Sequence, residues 1–334
     1  MSTSKTRIKK QETKQGIDTL EFELTLVGKN IIDLPKQTLI NKQGYVYGSV
    51  ETHNGKATLN LNLPKYVRNN NLEPYTLSEH IKIELIKNDC EMQLKKIFGA
   101  NMHTKVTKIE VNITQKVSGN ATVSDVLNLL SHATLSKEFD NVKYVGRNQK
   151  ENYELKEENH TVITRRKHYW IGKFYNKSEQ IIKERLRSKQ SIEDVPRDLL
   201  RIEIIMIDRT LKRLFGYKSR LSDVLTPKNL VGILREYKRI FEIDLVEKSI
   251  LPYLSDCKDK LLESLTHTEN PMKTIAIERE LIIDAIVFQK ALQRYMKMRG
   301  KADNSVRDIK RYIKQYDLPV DCIKTISEFK RSCG

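Results

Sequence analysis

The chain has 334 residues, of which 39% are hydrophobic and 31% charged, which is enough apolar sequence for a buried core and excludes wholesale disorder. No apolar run approaches the roughly 20 residues that a membrane-spanning helix needs, so the sequence predicts no transmembrane segment. The 60 Lys and Arg residues outnumber the 43 Asp and Glu residues and leave a formal net charge of +17, which favours a polyanionic partner such as a nucleic acid.

The N-terminal half begins with a basic segment and then shows strand patterns. Residues 1–16 contain no apolar stretch, so we expect a disordered basic arm and no secretory signal. The following DTLEFELTL, from Asp18 to Leu26, alternates polar and apolar residues and predicts a half-buried strand. Strands are also predicted at Tyr45–Val50 and Ala57–Leu63, and a helix is predicted to end at Gly99.

A further strand is predicted at Lys105–Thr114, which reads KVTKIEVNIT. Glu110 and Asn112 are two residues apart in it and therefore project to the same side of the strand. Ser124 is the predicted N-cap of the next helix.

The most basic part of the chain lies between Arg165 and Lys189, where nine basic residues stand against two acidic ones. HYWIGKFY, from His168 to Tyr175, is predicted to be a strand that leads into a basic helix, with Trp170 facing the core. Cations neutralise phosphates and aromatic rings stack on unpaired bases, so this segment is the predicted nucleic-acid-binding surface. Its candidate DNA-binding residues are Arg165, Arg166, Lys167, Lys173, Lys183 and Arg187.

Leu199–Ile207, which reads LLRIEIIMI, is predicted to be an apolar strand that Arg201 and Glu203 interrupt. A carboxylate that is buried alone is costly, so Glu203 needs either a charged partner or a metal ion. Arg201 lies on the same side of the strand, and an Arg201–Glu203 pair would be purely structural. The pattern leaves both interpretations open.

Helical periodicity is nearly continuous after residue 207. We therefore predict an α+β fold, in which an antiparallel-rich mixed sheet with flanking helices is followed by a helical C-terminal region. The expected units are the arm at 1–16, an α+β catalytic domain at 17–215 and a helical domain at 220–334. Two short helices around Asp317–Pro319 are a candidate DNA-reading helix-turn-helix, although two packed helices occur in any bundle.

The polar strand residues suggest one chemistry. Carboxylates would hold Mg²⁺ or Mn²⁺, which neutralises the charge of a phosphodiester and polarises its P–O bond. A tyrosine beside the ion could attack phosphorus and remain joined to one strand end. Tyr175 is the candidate because Lys177, two positions later, would ease formation of the phenolate. Spacing alone favours the other interpretation, in which Tyr175 merely ends a strand.

The ordered set GKFYNKSEQI, DLLRIEIIMIDRTLKRLFG and LSDVLTP resembles the replication initiators of filamentous phages and rolling-circle plasmids. In that family a strand ending in Tyr-Asp/Asn-Lys precedes a strand of the Leu-Arg-Phe/Ile-Glu type and then a helix. KIEVNI resembles the earlier family strand that carries an acidic residue toward the metal ion. The resemblance covers about residues 105–230 and implies a replication-initiator nuclease-like fold.

The resemblance implies a site-specific single-strand DNA endonuclease and ligase. Such an enzyme nicks a replication origin through a tyrosine, keeps the 5′ phosphate and leaves a free 3′ hydroxyl as a primer. Carried over to this sequence, Tyr175 would be the nucleophile, with Tyr169 in reserve and Lys177 as an electrostatic helper. The ligands of Mg²⁺ or Mn²⁺ would be Glu110, Glu203 and, through a weaker carbonyl oxygen, Asn112.

Two features depart from the family pattern. Family strands often show two acidic residues where this chain has Glu110 and Asn112, which weakens the metal assignment. Many rolling-circle nucleases hold their metal with a His-hydrophobic-His motif, and the seven histidines of this chain contain no such pair. The chain therefore fits either the branch that uses carboxylates or a degenerate site. The expected partners are single- and double-stranded origin DNA together with host polymerase and helicase, in the cytoplasm and without a membrane. The alternatives are an origin-binding protein without catalysis and, from charge alone, an RNA-binding or ribosome-associated protein.

Overall fold

The computed structural model describes residues 14–26, 33–69, 73–99, 102–133, 143–144, 161–216, 219–267, 285–298, 311, 314 and 321–332. Within these ranges the protein combines one antiparallel β-sheet with helices that pack against it, including helices near the C-terminus. The predicted α+β class is therefore confirmed.

The sheet in the described part of the chain has nine strands. They are β1 (Lys14–Leu26), β2 (Gln37–Ile40), β3 (Val46–His53), β4 (Lys56–Asn62), β5 (Met102–Lys116), β6 (Lys143–Tyr144), β7 (Thr161–Arg166), β8 (Trp170–Asn176) and β9 (Leu199–Ile207). Their order across the sheet is β2-β3-β4-β1-β5-β9-β8-β7-β6. Every pairing among these strands is antiparallel, so the predicted mixed sheet is antiparallel throughout.

The described helices follow the strands in chain order. They are α1 (Leu63–Arg68), α2 (Ile83–Phe98), α3 (Val123–Ala133), α4 (Lys177–Arg187), α5 (Asp208–Phe215), α6 (Leu221–Val224), α7 (Pro227–Arg239), α8 (Leu251–Thr266), α9 (Ala285–Met298) and α10 (Cys322–Ser332). A 3-10 turn at Leu77–Lys82 precedes α2, and a π-helical stretch at Ile240–Ile250 joins α7 to α8.

Strand alternation gives the sheet two unlike faces, because successive side chains point to opposite sides. One face is covered by helices, and the central strands bury their apolar residues there: Ile109, Val111, Ile113, Ile202, Ile204 and Met206. The other face carries the polar residues of the same strands. The predicted alternation of β5 and β9 thus separates the hydrophobic core from the polar face on which the candidate site lies.

Trp170 is fully buried on the helix-covered face, as predicted. Its Nε1 donates a hydrogen bond to Oδ2 of Asp244 at 3.1 Å. Because Asp244 belongs to the π-helical stretch, this bond joins strand β8 to the C-terminal half of the chain.

Predicted boundaries differ from the structure at several elements, among them the first strand and helix α3. The sheet begins at Lys14, so Lys14–Gly16 of the predicted arm belong to β1, while residues 1–13 lie outside the described residues. A backbone bridge between Ile17 and Tyr75 holds this early part of the strand. Helix α3 begins before Ser124, because the hydroxyl of Thr122 accepts a hydrogen bond from the Asp125 amide at 3.1 Å and caps the helix instead.

Helices of the predicted C-terminal domain share one hydrophobic core with the sheet, through residues of α6, α7, the π-helical stretch and α10. Helix α10 is tied to the turn after β5, where Asp321 accepts a hydrogen bond from the Asn120 amide at 2.9 Å. Most of the candidate helix-turn-helix around Asp317–Pro319 lies outside the described residues. No helix in the described ranges is long and apolar enough to cross a membrane.

Candidate active site

Three neighbouring strands place polar side chains on the open face of the sheet. Glu203 of β9 pairs with Asn112 of β5 on one side and with Lys173 of β8 on the other. Two residues earlier in β9, Arg201 pairs with Tyr175. Residues opposite each other in an antiparallel pair project to the same face of the sheet. The polar side chains that sequence analysis assigned to one face therefore lie close together on it.

Three carboxylates meet at the centre of this face. Asp18, Glu110 and Glu203 each offer one oxygen, and these oxygens lie within 4.8 Å of one another. Asp18 and Glu203 are buried, and Glu110 is half-buried. We call these three residues the acidic triad; two of them are the metal ligands that the resemblance implied.

Asp18 reaches the triad through a β-bulge, and sequence analysis missed it. The pairing of β1 with β5 moves from Ile17 opposite Val111 to Thr19 opposite Glu110, so Asp18 is the extra residue. A bulge re-aims a side chain and locally breaks the alternation of the strand. The available signal was Ile17, which stands out of phase with the apolar series that begins at Leu20.

Buried polar groups hold the triad in place. Nη1 of Arg201 lies 3.8 Å from an oxygen of Asp18 and 3.8 Å from Oε1 of Glu203. The side-chain amides of Asn62 and Asn112 donate to the two oxygens of Asp18 at 3.2 Å and 3.1 Å. The predicted Arg201–Glu203 ion pair is therefore observed. Arg201 also pairs with a second carboxylate, that of Asp18, which sequence analysis did not predict.

Burial makes this cluster resist full ionisation. Burial raises the pKa of Glu110 to about 7, and the negative charge of Glu203 raises it further. Lys173, whose Nζ lies 3.9 Å from Glu110, lowers this pKa and opposes both effects. Burial also raises the pKa of Asp18, while Arg201 lowers it. At neutral pH Glu110 is therefore partly protonated unless a cation offsets the charge of the triad.

Glu110→Gln is expected to change how stability depends on pH. The folded protein keeps a proton on Glu110 up to about pH 7, whereas the unfolded chain releases it near pH 4.3. The wild-type free energy of unfolding should therefore fall as pH rises between these values, and the glutamine variant should lack that component. The difference should reach roughly 3–4 kcal/mol at pH 8, at about 1.4 kcal/mol per pKa unit.

Urea unfolding in EDTA at pH 5, 6, 7 and 8 measures this effect. Asp18, Glu203, Lys173 and Lys108 face Glu110 and are the same residues in both proteins. Glu23→Gln, at an exposed position of β1, is the control and should follow the wild type. Parallel curves for wild type and Glu110→Gln would contradict the assignment.

Tyr175 is the tyrosine that contacts the triad. Its hydroxyl donates a hydrogen bond to Oε1 of Glu203 at 2.5 Å. Burial and the charge of Glu203 raise the pKa of Tyr175 above its usual range, so the phenol is neutral at physiological pH. Tyr169, the reserve nucleophile, lies in the turn before β8, six residues before Tyr175, which corresponds to about 20 Å of extended chain. There its hydroxyl accepts a hydrogen bond from Arg209 at 3.3 Å, away from the triad.

Lys177 is buried in the first turn of α4. Asn176 caps this helix through a hydrogen bond from the Glu179 amide at 3.2 Å, which turns the chain directly from β8 into α4. Nζ of Lys177 donates to Gln180 at 2.8 Å. Burial and then the charge of Arg201 lower the pKa of Lys177 to about 8, so the ammonium can lose its proton near neutral pH.

A cleft of about 470 Å³ opens over the triad. Two predicted DNA-binding residues, Lys173 and Lys183, line it together with Tyr175 and Lys177. The other four predicted DNA-binding residues are not part of its lining: Arg165, Lys167 and Arg187 are exposed, and Arg166 is ion-paired with Asp244.

The donor set fits a hard divalent cation. Mg²⁺ and Mn²⁺ prefer carboxylate and carbonyl oxygens, which the acidic triad and Asn112 provide. Oδ1 of Asn112 is buried and accepts no hydrogen bond within the described part of the protein, while its Nδ2 contacts Asp18. A buried, unpaired carbonyl oxygen costs about 1–3 kcal/mol unless a cation or a hydrogen-bond donor reaches it.

Comparison with known proteins adds no family to this description. No protein-family model matches the chain, and no curated protein matches it at a significant level of sequence similarity.

Proposed function

We propose that the protein nicks and rejoins single-stranded DNA through Tyr175, with a divalent cation held by Asp18, Glu110 and Glu203. The observation that carries this proposal is the hydrogen bond from the Tyr175 hydroxyl to Glu203, a member of the triad. Phosphoryl transfer to a tyrosine needs the phenol close to a base or a metal ion that activates it, and Tyr175 contacts a carboxylate of the triad. When bound, Mg²⁺ or Mn²⁺ would neutralise the charge of the scissile phosphate and polarise its P–O bond.

The residues of the site can carry out each proton transfer. Tyr175 attacks phosphorus and passes its proton to the Glu203 carboxylate that already accepts its hydrogen bond. The new Oη–P bond replaces the P–O3′ bond, whose electron pair leaves with O3′. Lys177 lines the same cleft and, with a pKa of about 8, can supply the proton that O3′ takes up. The reverse sequence rejoins the strand.

The cleft also provides a place for the nucleic-acid backbone. Lys173 and Lys183 line it beside the triad, and cations beside a phosphate site lower the cost of bringing a polyanion to three carboxylates. The resemblance to rolling-circle initiators supports DNA at a replication origin as the substrate. It also supports a 5′-phosphotyrosyl link and a 3′ hydroxyl that host polymerase and helicase would use.

The test is the formation of a covalent protein–DNA adduct. Labelled single-stranded oligonucleotides of randomised sequence are incubated with the protein and Mn²⁺, and protein-linked label is measured after denaturation. We expect an adduct that EDTA prevents and that Glu203→Gln reduces at least about a hundredfold, since proton transfer by a positioned group contributes about 10²–10⁴ in rate.

Glu23→Gln serves again as the control and should behave as wild type. DNA binding measured in EDTA separates the two functions, because Glu203→Gln should retain its affinity. If the wild type binds DNA but forms no adduct, the nicking proposal is wrong. The protein would then be better described as an origin-binding protein without catalytic activity.

A further inference from the structure

A second positively charged surface lies at the end of the sheet where the β7–β8 turn meets α5 and α7. It contains five cations, which we call the cationic network: Arg166, Arg209, Arg213, Arg239 and Lys248. Four of these residues come from the helical half of the chain, outside the basic segment that the sequence singled out.

Two buried carboxylates hold most of these cations in place. Glu236 accepts hydrogen bonds from Arg213 and Arg239. Asp244 lies 3.0 Å from Arg166, 3.6 Å from Arg239 and 3.8 Å from Lys248. Because Arg239 contacts both carboxylates, the four cations form one connected set rather than separate pairs.

The cations outnumber the carboxylates and reach solvent, whereas the carboxylates do not. The side chains of Glu236 and Asp244 are 9% and 2% exposed, while that of Arg213 is 47% exposed and that of Lys248 is 45% exposed. Four cations therefore share two buried negative charges, and the surplus positive charge faces outward. Anchored side chains lose less conformational entropy when they bind an anion.

Tyr169 extends this surface toward Arg209. The guanidinium carbons of Arg166 and Arg209 lie 4.8 Å and 5.5 Å from the centre of its ring, and Arg209 donates to its hydroxyl at 3.3 Å. Guanidinium groups match phosphate oxygens in a bidentate manner, and arginine planes and aromatic rings also stack on bases. The combination favours a nucleic-acid backbone over an isolated small anion.

The cationic network is separate from the cleft. Arg166 pairs with Trp170, which precedes the cleft residue Lys173 by three positions, about 10 Å along a strand. The side chains of Trp170 and Lys173 also lie on opposite faces of the sheet. Nucleic acid in the cleft would therefore have to pass from one face of the sheet to the other to reach this surface.

We propose that the cationic network binds the phosphate backbone of a second segment of nucleic acid, independently of sequence. This inference goes beyond the proposed function, since binding here requires neither the triad nor Tyr175. The segment held here would lie outside the cleft, on the side of the sheet that the C-terminal helices cover.

The test compares two triple variants with the same change in net charge. Arg209→Gln/Arg213→Gln/Lys248→Gln removes cations but leaves Arg239 with Glu236 and Arg166 with Asp244, so no buried carboxylate loses its last partner. Lys56→Gln/Lys95→Gln/Lys96→Gln removes three exposed cations elsewhere and is the control. Affinity for duplex and single-stranded DNA is measured in EDTA at salt concentrations from about 50 to about 300 mM. Circular dichroism checks that the variants are folded.

The network variant should bind at least about tenfold more weakly, and its slope of log K against log salt should fall by about three units. The control variant should keep most of the wild-type slope. Equal losses in both variants would show that net charge alone matters and would overturn the proposal, as would unchanged binding by the network variant. The binding assay needs no DNA cleavage. Failure of the nicking proposal would therefore leave this result unchanged, and the two proposals can fail independently.

Discussion

Tyr175→Phe is expected to reduce the covalent protein–DNA adduct to background while leaving DNA binding intact. The phenylalanine ring keeps the packing of the side chain but lacks the oxygen that would bond to phosphorus. In the folded protein that oxygen donates to Glu203 at 2.5 Å, so the substitution removes nucleophile and proton donor together. The adduct assay with Mn²⁺ measures the first effect, and affinity in EDTA measures the second.

Tyr169→Phe is the matched control for this prediction. This substitution also removes a tyrosine hydroxyl from the same segment. The hydroxyl of Tyr169, however, contacts Arg209 and not the triad. We expect it to form the adduct as the wild type does. An adduct that persists in Tyr175→Phe and disappears in Tyr169→Phe would show that the nucleophile is assigned to the wrong tyrosine.

Arg201→Met is expected to destabilise the metal-free protein by about 3–5 kcal/mol, the usual cost of removing one partner of a buried ion pair. The side chain of Arg201 is 1% exposed and lies within 3.8 Å of both Asp18 and Glu203. Its Nε also donates to Thr114 at 2.7 Å. Methionine of similar length fills the space but leaves two buried carboxylates without this cation.

Urea unfolding in EDTA measures the loss, and Arg187→Met, at an exposed position of α4, should change stability by less than about 0.5 kcal/mol. Added Mn²⁺ should restore part of the stability of Arg201→Met, because a cation in the triad replaces the missing charge. A loss below about 1 kcal/mol would mean that the triad does not depend on Arg201.

The sequence determined which side chains of the central strands share a face. The period of two in residues 109–113 and in Leu199–Ile207 places Glu110, Asn112 and Glu203 opposite an apolar face, and alternation is a local property of an extended chain. The same rule placed Tyr175 and Lys173 together and sent Trp170 into the core, where it is fully buried.

Only the tertiary structure decided which strands lie side by side and how the site is completed. Asp18 enters the triad because a bulge shifts β1 against β5, strands about ninety positions apart in the chain. The out-of-phase Ile17 marks an irregularity in β1, but no local pattern states which strand lies opposite it. The cationic network likewise depends on Asp244 meeting Arg166 from a distant part of the chain, and on Arg239 contacting both Asp244 and Glu236. Alternation is fixed by each strand's own backbone geometry, whereas these contacts arise from non-local packing, which adjacent residues do not specify.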